Sequence, residues 1–298
     1  MQTTYDGRHS IIFCRQDAFR DDDSFPYGGP EVFYGGVHSW KSLGLMPTSR
    51  PFVEPPPQKT DYLDIPGANG VVDLSNVPLG MATFQNRVGS WEFYIAHDVI
   101  DEPWEVTYEK LLQKLHGKQV AVILTDDPSY YYVGRTHIES YTADSVCSTV
   151  TIGYELAPYK KMVWTTLGDW LWDPFNFYTG VISQSMFKDL VVDSALDEND
   201  NWIWNDTSRN IILRYTQDII GSEPIKPVFI VEPNPTVTKM FRIAVHNVSK
   251  GNVRYFDLQH GVTDNPQIMF ATPDPFDVTL IQIVGKGTVS IRFRPGRL

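Results

Sequence analysis

Thr149-Val150-Thr151-Ile152-Gly153-Tyr154-Glu155-Leu156 alternates without a break. Val150, Ile152, Tyr154 and Leu156 fall on one side, and Thr149, Thr151, Gly153 and Glu155 on the other. A period of two is the signature of a β-strand, and this pattern predicts an antiparallel strand with one face on a core. Upstream, Asp126-Asp127-Pro128 is a turn that leads into Tyr130-Tyr131-Tyr132-Val133, and Val120-Ala121-Val122-Ile123-Leu124 is a strand apolar on both faces. One helix precedes it. From Pro103 to His116 the residues Trp104, Tyr108, Leu111, Leu112 and Leu115 form a single stripe at helical spacing. Asp101 and Glu102 suit its N-terminal dipole, and Gly117 suits its end. Downstream, Ala157-Pro158-Tyr159-Lys160-Lys161 closes the pattern.

The first sixty residues read as short strands broken by turn chemistry. Ser10-Ile11-Ile12-Phe13-Cys14 is a short apolar run, followed by Asp21-Asp22-Asp23 and the turn-like Pro26-Tyr27-Gly28-Gly29-Pro30. Val32-Phe33-Tyr34 stops at Gly35-Gly36. Pro51 to Pro57 cannot enter a sheet interior, and Pro55-Pro56-Pro57 reads as an extended connector. In Asp61 to Leu74, two extended pieces flank Pro66-Gly67 and Asn69-Gly70, which predicts a hairpin or loop.

A domain boundary is expected near residue 165, giving domains 1–165 and 166–298. The second is more uniformly β. Phe241, Ile243 and Val245 alternate with Arg242, Ala244 and His246. The end reads as a hairpin, with Val278 to Val284, a Gly285-Lys286-Gly287 turn, and Thr288 to Arg294. There Val289, Ile291 and Phe293 share a face. Short strands and turn signals without a good helix predict a β-sandwich. The fold class is therefore mainly β, with an N-terminal sandwich carrying one helix and a C-terminal sandwich.

The 298 residues are 42% hydrophobic and 20% charged, so disorder is excluded and two ordinary cores are expected. Net charge is −11, against a dedicated nucleic-acid grip. Residues 1–165 hold 21 Asp and Glu against 13 Lys and Arg, and residues 166–298 hold 15 against 12, so the acidity lies mainly in the first domain. Met1 to Ser10 is polar with no apolar run behind it, and no secretory signal is expected. The two cysteines, Cys14 and Cys147, read as reduced and buried thiols.

The usual chemistry motifs are weak. Asp197, Asn199 and Asn201 start like a calcium loop, but Trp202 stands where the sharp-turn glycine belongs and Ser208 where the last carboxylate belongs. Seven histidines show no metal-ligand spacing. His116 suits a helix C-terminus. Gly285-Lys286-Gly287-Thr288 lacks the rest of a phosphate loop. No catalytic residue, metal or cofactor is expected, and the chain is not read as an enzyme. Aromatic residues are the one excess. Trp170, Trp172, Phe175, Phe177 and Tyr178 read as core. Trp202 and Trp204, two residues apart, are candidates for a sugar-binding platform or for core. His246, Asn247 and Arg254 imitate a galectin's His-Asn-Arg cluster poorly, because neighbours on one strand point to opposite faces.

Several segments in order resemble the distal tail protein (Dit) family of long, non-contractile-tailed bacteriophages. These are Val32 to Leu45, the element from Asp64-Ile65-Pro66-Gly67 through Asn69-Gly70 to Asp73-Leu74, and Leu115-His116-Gly117-Lys118 with the following strand and Asp126-Asp127-Pro128. Ala157-Pro158-Tyr159-Lys160, Asp169-Trp170-Leu171-Trp172-Asp173-Pro174-Phe175, Gly285 to Val289 and Phe293-Arg294-Pro295-Gly296 complete the set. The region 185–270 carries none.

The resemblance implies a belt domain that assembles into a homohexameric ring and a galectin-like C-terminal sandwich decorating it. Such a ring is a structural hub at the virion's tail tip. It joins the tail-tube protein to tail-tip or baseplate proteins, with a receptor-binding protein as a further partner and DNA passing through its lumen. Pro66, Gly67, Asn69, Gly70 and Asp73 are then candidates for an interface element. Acidity in the first domain suits a lumen wall on which Asp and Glu outnumber Lys and Arg. The alternative is a carbohydrate-binding module that reads host-wall saccharides through the C-terminal sandwich, with Trp202 and Trp204 as its platform.

Overall fold

The structure is a computed structural model of the chain. It describes residues 8–15, 36–67, 69–76, 82–95, 103–142, 148–162, 175–176, 181–182, 186–215, 222–235, 239–248, 251–263, 265, 267–270 and 278–298. Cys147, Asp101, Glu102, Val32 to Tyr34, the acidic run at Asp21 and the aromatic group at 170–178, apart from the backbone of Phe175, lie outside them. The described chain is mainly β and forms two compact units, passing from one to the other near residue 163.

Unit 1 is built on one large antiparallel sheet. Its strands are β1 (Ile11–Arg15), β2 (Val37–His38), β3 (Leu45–Pro47), β6 (Arg87–Ile95), β7 (Lys118–Leu124), β8 (Tyr130–Thr142) and β9 (Ser148–Leu156). They run in the order β2-β1-β7-β8-β9-β6-β3, and β10 (Lys160–Met162) pairs with β8. The sheet curls into a half-barrel. Phe13 on β1 and Trp91 on β6 have three strands between them in the order, yet their rings meet edge to face at 6.3 Å. Curling lets one apolar face cover itself. Ile11, Phe13, Trp91, Phe93, Val120, Val122 and the alternating set Val150, Ile152, Tyr154 and Leu156 all join one core. Each such side chain contributes about 1.5–3 kcal/mol by leaving water.

Helix α2 (Trp104–Leu115) fills the open side, adding Leu111 and Leu115 to that core, while Tyr108 lies against Tyr141 with 4.6 Å between centroids. Gly117, at φ 67°, lets the chain leave it, and Thr136 Oγ1 donates to the Leu115 carbonyl. His116 plays a different part from the expected dipole cap. Its Nδ1 accepts the Ile138 amide, so the ring ties the helix end to β8.

A second helix corrects the expectation of one. α1 (Ser39–Leu43) lies within the segment Val32 to Leu45, where only extended pieces were expected. The His38 ring accepts from the amides of Trp40 and Lys41, and Gly44 ends it at φ 61°. Histidine is not a usual N-cap, which is why the start is hard to read.

The proline-rich stretch stays out of the ladder, as proline's missing N–H requires. Side chains from the sheet satisfy it instead. Trp91 Nε1 donates to Phe52 O at 2.7 Å, buried Arg87 donates to Glu54 O and Pro158 O, and Glu54 N donates to the Tyr154 hydroxyl. Cys14 is buried within β1.

In unit 2, β11 (Phe175–Asn176) pairs with β12 (Val181–Ile182), apart from two four-stranded antiparallel sheets. The first sheet has the order β13-β20-β15-β18, from β13 (Met186–Asp193), β20 (Lys286–Arg292), β15 (Val228–Pro233) and β18 (Gly261–Thr263). The second has the order β14-β19-β16-β17, from β14 (Ile211–Tyr215), β19 (Thr279–Val284), β16 (Phe241–Asn247) and β17 (Asn252–Leu258). Phe229, Val231, Val289 and Ile291 of one sheet share a core with Phe241, Ile243, Ile281 and Ile283 of the other. This is the expected β-sandwich.

The expected terminal hairpin is not one. β19 and β20 are consecutive but belong to opposite sheets, so Gly285 is a corner and not the start of a hairpin turn. A Cβ at Gly285 would lie 2.2 Å from the buried Phe241 ring. Ser194 clamps the corner, accepting the Gly285 amide through Oγ and donating its own amide to the Gly285 carbonyl. Alternation shows which residues face a core but not which sheet supplies the strand's partners. Val289, Ile291 and Phe293 do face the core together.

Gly285→Ala is expected to destabilise unit 2 by about 1–3 kcal/mol, the usual cost of overpacking a core, read from its denaturant midpoint. A second test concerns Asp126. Burial alone would raise its carboxyl, but Arg50 Nε at 2.8 Å and His9 Nδ1 at 2.8 Å outweigh burial and hold it below the usual carboxylate range. A depressed carboxyl stabilises the fold above its unfolded value, about 3.9, and the gain is lost as pH falls through the folded value. Asp126→Asn should therefore lower the thermal midpoint at pH 7, and the difference from wild type should shrink below about pH 4.

Candidate functional site

The segment Asp61 to Ser75 forms a hairpin of its own. β4 (Tyr62–Asp64) pairs with β5 (Val71–Asp73) in the register Tyr62–Asp73, Leu63–Val72 and Asp64–Val71, and the two make a separate two-stranded sheet. Proline 66 cannot extend the ladder, and Gly67 and Gly70 at φ 85° and 80° turn the chain at the tip around Asn69. At the base, Leu74 N donates to Asp61 O and Asp61 N to Ser75 Oγ. Ser75 also donates to the Asp73 carboxylate. Its side chain and amide together hold that carboxyl below the usual range, against a small opposing effect of burial. Further back, Lys59 N donates to Thr83 O and Gln85 N to Pro57 O, so the hairpin is an arm on a paired stem.

This arm carries apolar side chains on both faces and buries neither. Tyr62 is 56% exposed, Leu63 50%, Val71 57% and Val72 43%. An isolated two-stranded ribbon is marginal in water, and a contiguous exposed apolar patch marks an interaction surface. The arm also holds Asp61, Asp64 and Asp73 with no Lys or Arg between them. Sequence reasoning named the turn residues Pro66, Gly67, Asn69 and Gly70 and the base residue Asp73, and the structure gathers them in one element. It missed Tyr62, Leu63, Val71 and Val72. Their signal was an apolar residue at consecutive positions of both strands, which no one-sided sheet needs.

The two tryptophans go to different partners. Trp202 is 5% exposed, its Nε1 donates to Met240 O at 3.0 Å, and Lys239 Nζ lies 5.7 Å from its ring centre. So placed, this ring packs as core and has no open face. Trp204 is half-buried and meets Tyr255 edge to face at 5.2 Å. Gln282 and Asn210 donate to its carbonyl. By register Ile212, Gln282, Ala244 and Tyr255 form one row across the outer face, with Arg214, Leu280, His246 and Val253 in the next. Arg254 pairs with Val245 and takes the opposite face from His246. In the loop before Trp202, Asp197 Oδ1 accepts the amides of Asn199 and Asn201, so the loop's own backbone occupies that oxygen.

No family model matches the sequence, and no curated protein matches it. Among solved structures, the chain is similar to the SPP1 Dit (gp 19.1) protein, described as a paradigm of the hub adsorption apparatus in Gram-positive infecting phages. Identity is 13% and the TM-score 0.46, over 88% of this chain and 98% of that one.

Gly70→Ala meets no atom within 4 Å, so its cost is the left-handed backbone alone, about 1–2 kcal/mol. The expected result is faster amide exchange confined to residues 61–75, with the global unfolding midpoint unchanged.

Proposed function

We propose that the chain is a structural hub of a phage tail, a ring-forming protein of the distal tail class whose work is assembly. Residues 1–165 form the ring, six copies to a turn, and residues 166–298 form a galectin-like sandwich outside it. The ring joins the tail-tube protein on one side to tail-tip or baseplate proteins on the other, at the tip of the virion, with DNA passing through. A receptor-binding protein is a further partner of the outer sandwich.

The observation that carries this reading is the exposed apolar arm of unit 1, in the element whose Pro-Gly and Asn-Gly resemble the distal tail family. A lone chain leaves it in water, and a ring gives it a neighbour to pack against. Charge agrees. The outward face of β8, β9 and β6 carries Glu92, Glu139 and Glu155 against Arg135. On a lumen wall such a face would repel phosphate instead of gripping it. Among the described residues, no helix is long and apolar enough to cross a membrane.

Trp204 and Tyr255 favour a second reading, a saccharide site on the outer sandwich. A half-buried indole beside an exposed phenol, with His246 and Arg214 in the next row, offers ring faces and hydrogen-bonding groups together. On a glycan array it predicts signal from wild type that Tyr255→Ala removes.

For the hub, the test is negative-stain imaging with light scattering across a concentration series. The expected particle is a six-fold ring with an open centre and six times the 34.0 kDa chain mass. A monomer at every concentration, with or without the tail-tube protein, would contradict it.

A further inference from the structure

Where β1, β7 and the last turn of α2 meet, a cleft of about 260 Å³ opens at the end of the unit 1 core. Its floor includes the buried side chains Phe13, Leu115 and Val120, and its rim carries Arg15, Lys114 and Lys118, all exposed. Among the described residues, no carboxylate lines it. In a chain of net charge −11 this is a local reversal of sign. The volume is below the roughly 300–1,000 Å³ of pockets that hold drug-sized ligands, and suits protein side chains better. An apolar floor inside a cationic rim fits an apolar side chain carried next to a carboxylate.

The same chain displays that pattern on its arm. Strand alternation puts Tyr62 and Asp64 on one face of the hairpin, and the register places them opposite Asp73 and Val71. That face therefore presents two exposed apolar side chains and two carboxylates. Among the described residues, none of the arm lines the cleft of its own chain, and the arm's side chains are exposed. We propose that the Tyr62, Asp64, Val71 and Asp73 face of one copy docks in the Arg15, Lys114 and Lys118 cleft of a second copy. Tyr62 or Val71 enters the apolar floor while the carboxylates meet the rim. The two surfaces are different, so the contact is head-to-tail and each copy offers one arm and one cleft. Head-to-tail contacts close into a ring when the rotation between copies permits. This rests on the ring reading and names the contact that would build it.

Charge reversal on each side tests the docking in the full-length chain. D64K/D73K makes the arm cationic and K114E/K118E makes the cleft anionic, and circular dichroism checks that each variant is folded. Each alone should weaken self-association at least about tenfold by light scattering, since like charges across an interface are costly. The four substitutions in one chain should restore it. An equimolar mixture of the two variants should also restore it, because cationic arm then meets anionic cleft and the reverse pair is complementary too. The milder pairs D64N/D73N and K114Q/K118Q should weaken association in the same order if a reversed arm fails to fold. Wild type that assembles while every variant assembles equally well would overturn the docking and leave the ring standing. Loss in both variants with no recovery in the mixture or the fourfold variant would overturn it too. A wild-type chain that never self-associates, with or without the tail-tube protein, would overturn both.

Discussion

An apolar strand face must be covered, and the chain meets that constraint in two units and leaves it unmet in one hairpin. Unit 1 covers its sheet by curling, so that Phe13 and Trp91 meet across strands that are not neighbours, with Leu111 and Leu115 of the helix closing the opening. Unit 2 covers one sheet with the other, and the chain changes sheets at a corner only glycine can occupy, against the Phe241 ring. The hairpin at Tyr62–Asp73 has neither curl nor second layer. Its apolar side chains stay in water, and that unmet demand is what the proposed assembly would meet.

Parts of the molecule follow from local pattern. In the strand at Thr149–Leu156 the apolar set Val150, Ile152, Tyr154 and Leu156 is buried as its alternation requires, while the other face is mixed, with Glu155 exposed and Gly153 buried. The helix ends where Gly117 permits a positive φ. The Pro-Gly and Asn-Gly pairs make a hairpin because its tip needs the backbone angles they supply. Other parts depend on contacts distant in sequence. Nothing between Val284 and Lys286 says that the strands on either side join different sheets, and the ring that leaves no room for a side chain at Gly285 is Phe241, some forty residues away. Helix α1 begins on a histidine cap that propensity does not anticipate.

The candidate site was legible in outline only. Its turn residues stand out in the sequence, but exposure of Tyr62, Leu63, Val71 and Val72 on both faces is a property of what fails to pack on them. The tryptophans show the same limit. Trp202 and Trp204 are two residues apart, yet the first is held under Lys239 and the Met240 carbonyl while the second lies beside Tyr255. Side-chain type and spacing were the same for both. Partners just before β16 for the first and on β17 for the second separated them.

The central claim is that the arm's apolar surface is covered by another protein chain when the molecule is at work. Amide hydrogen exchange, compared between the dilute chain and the assembled particle, tests it most directly. The account predicts fast exchange across β4 and β5 in the dilute chain and strong protection there in the particle, with the sandwich of unit 2 unchanged. Hairpin amides that exchange equally fast in both states would contradict it.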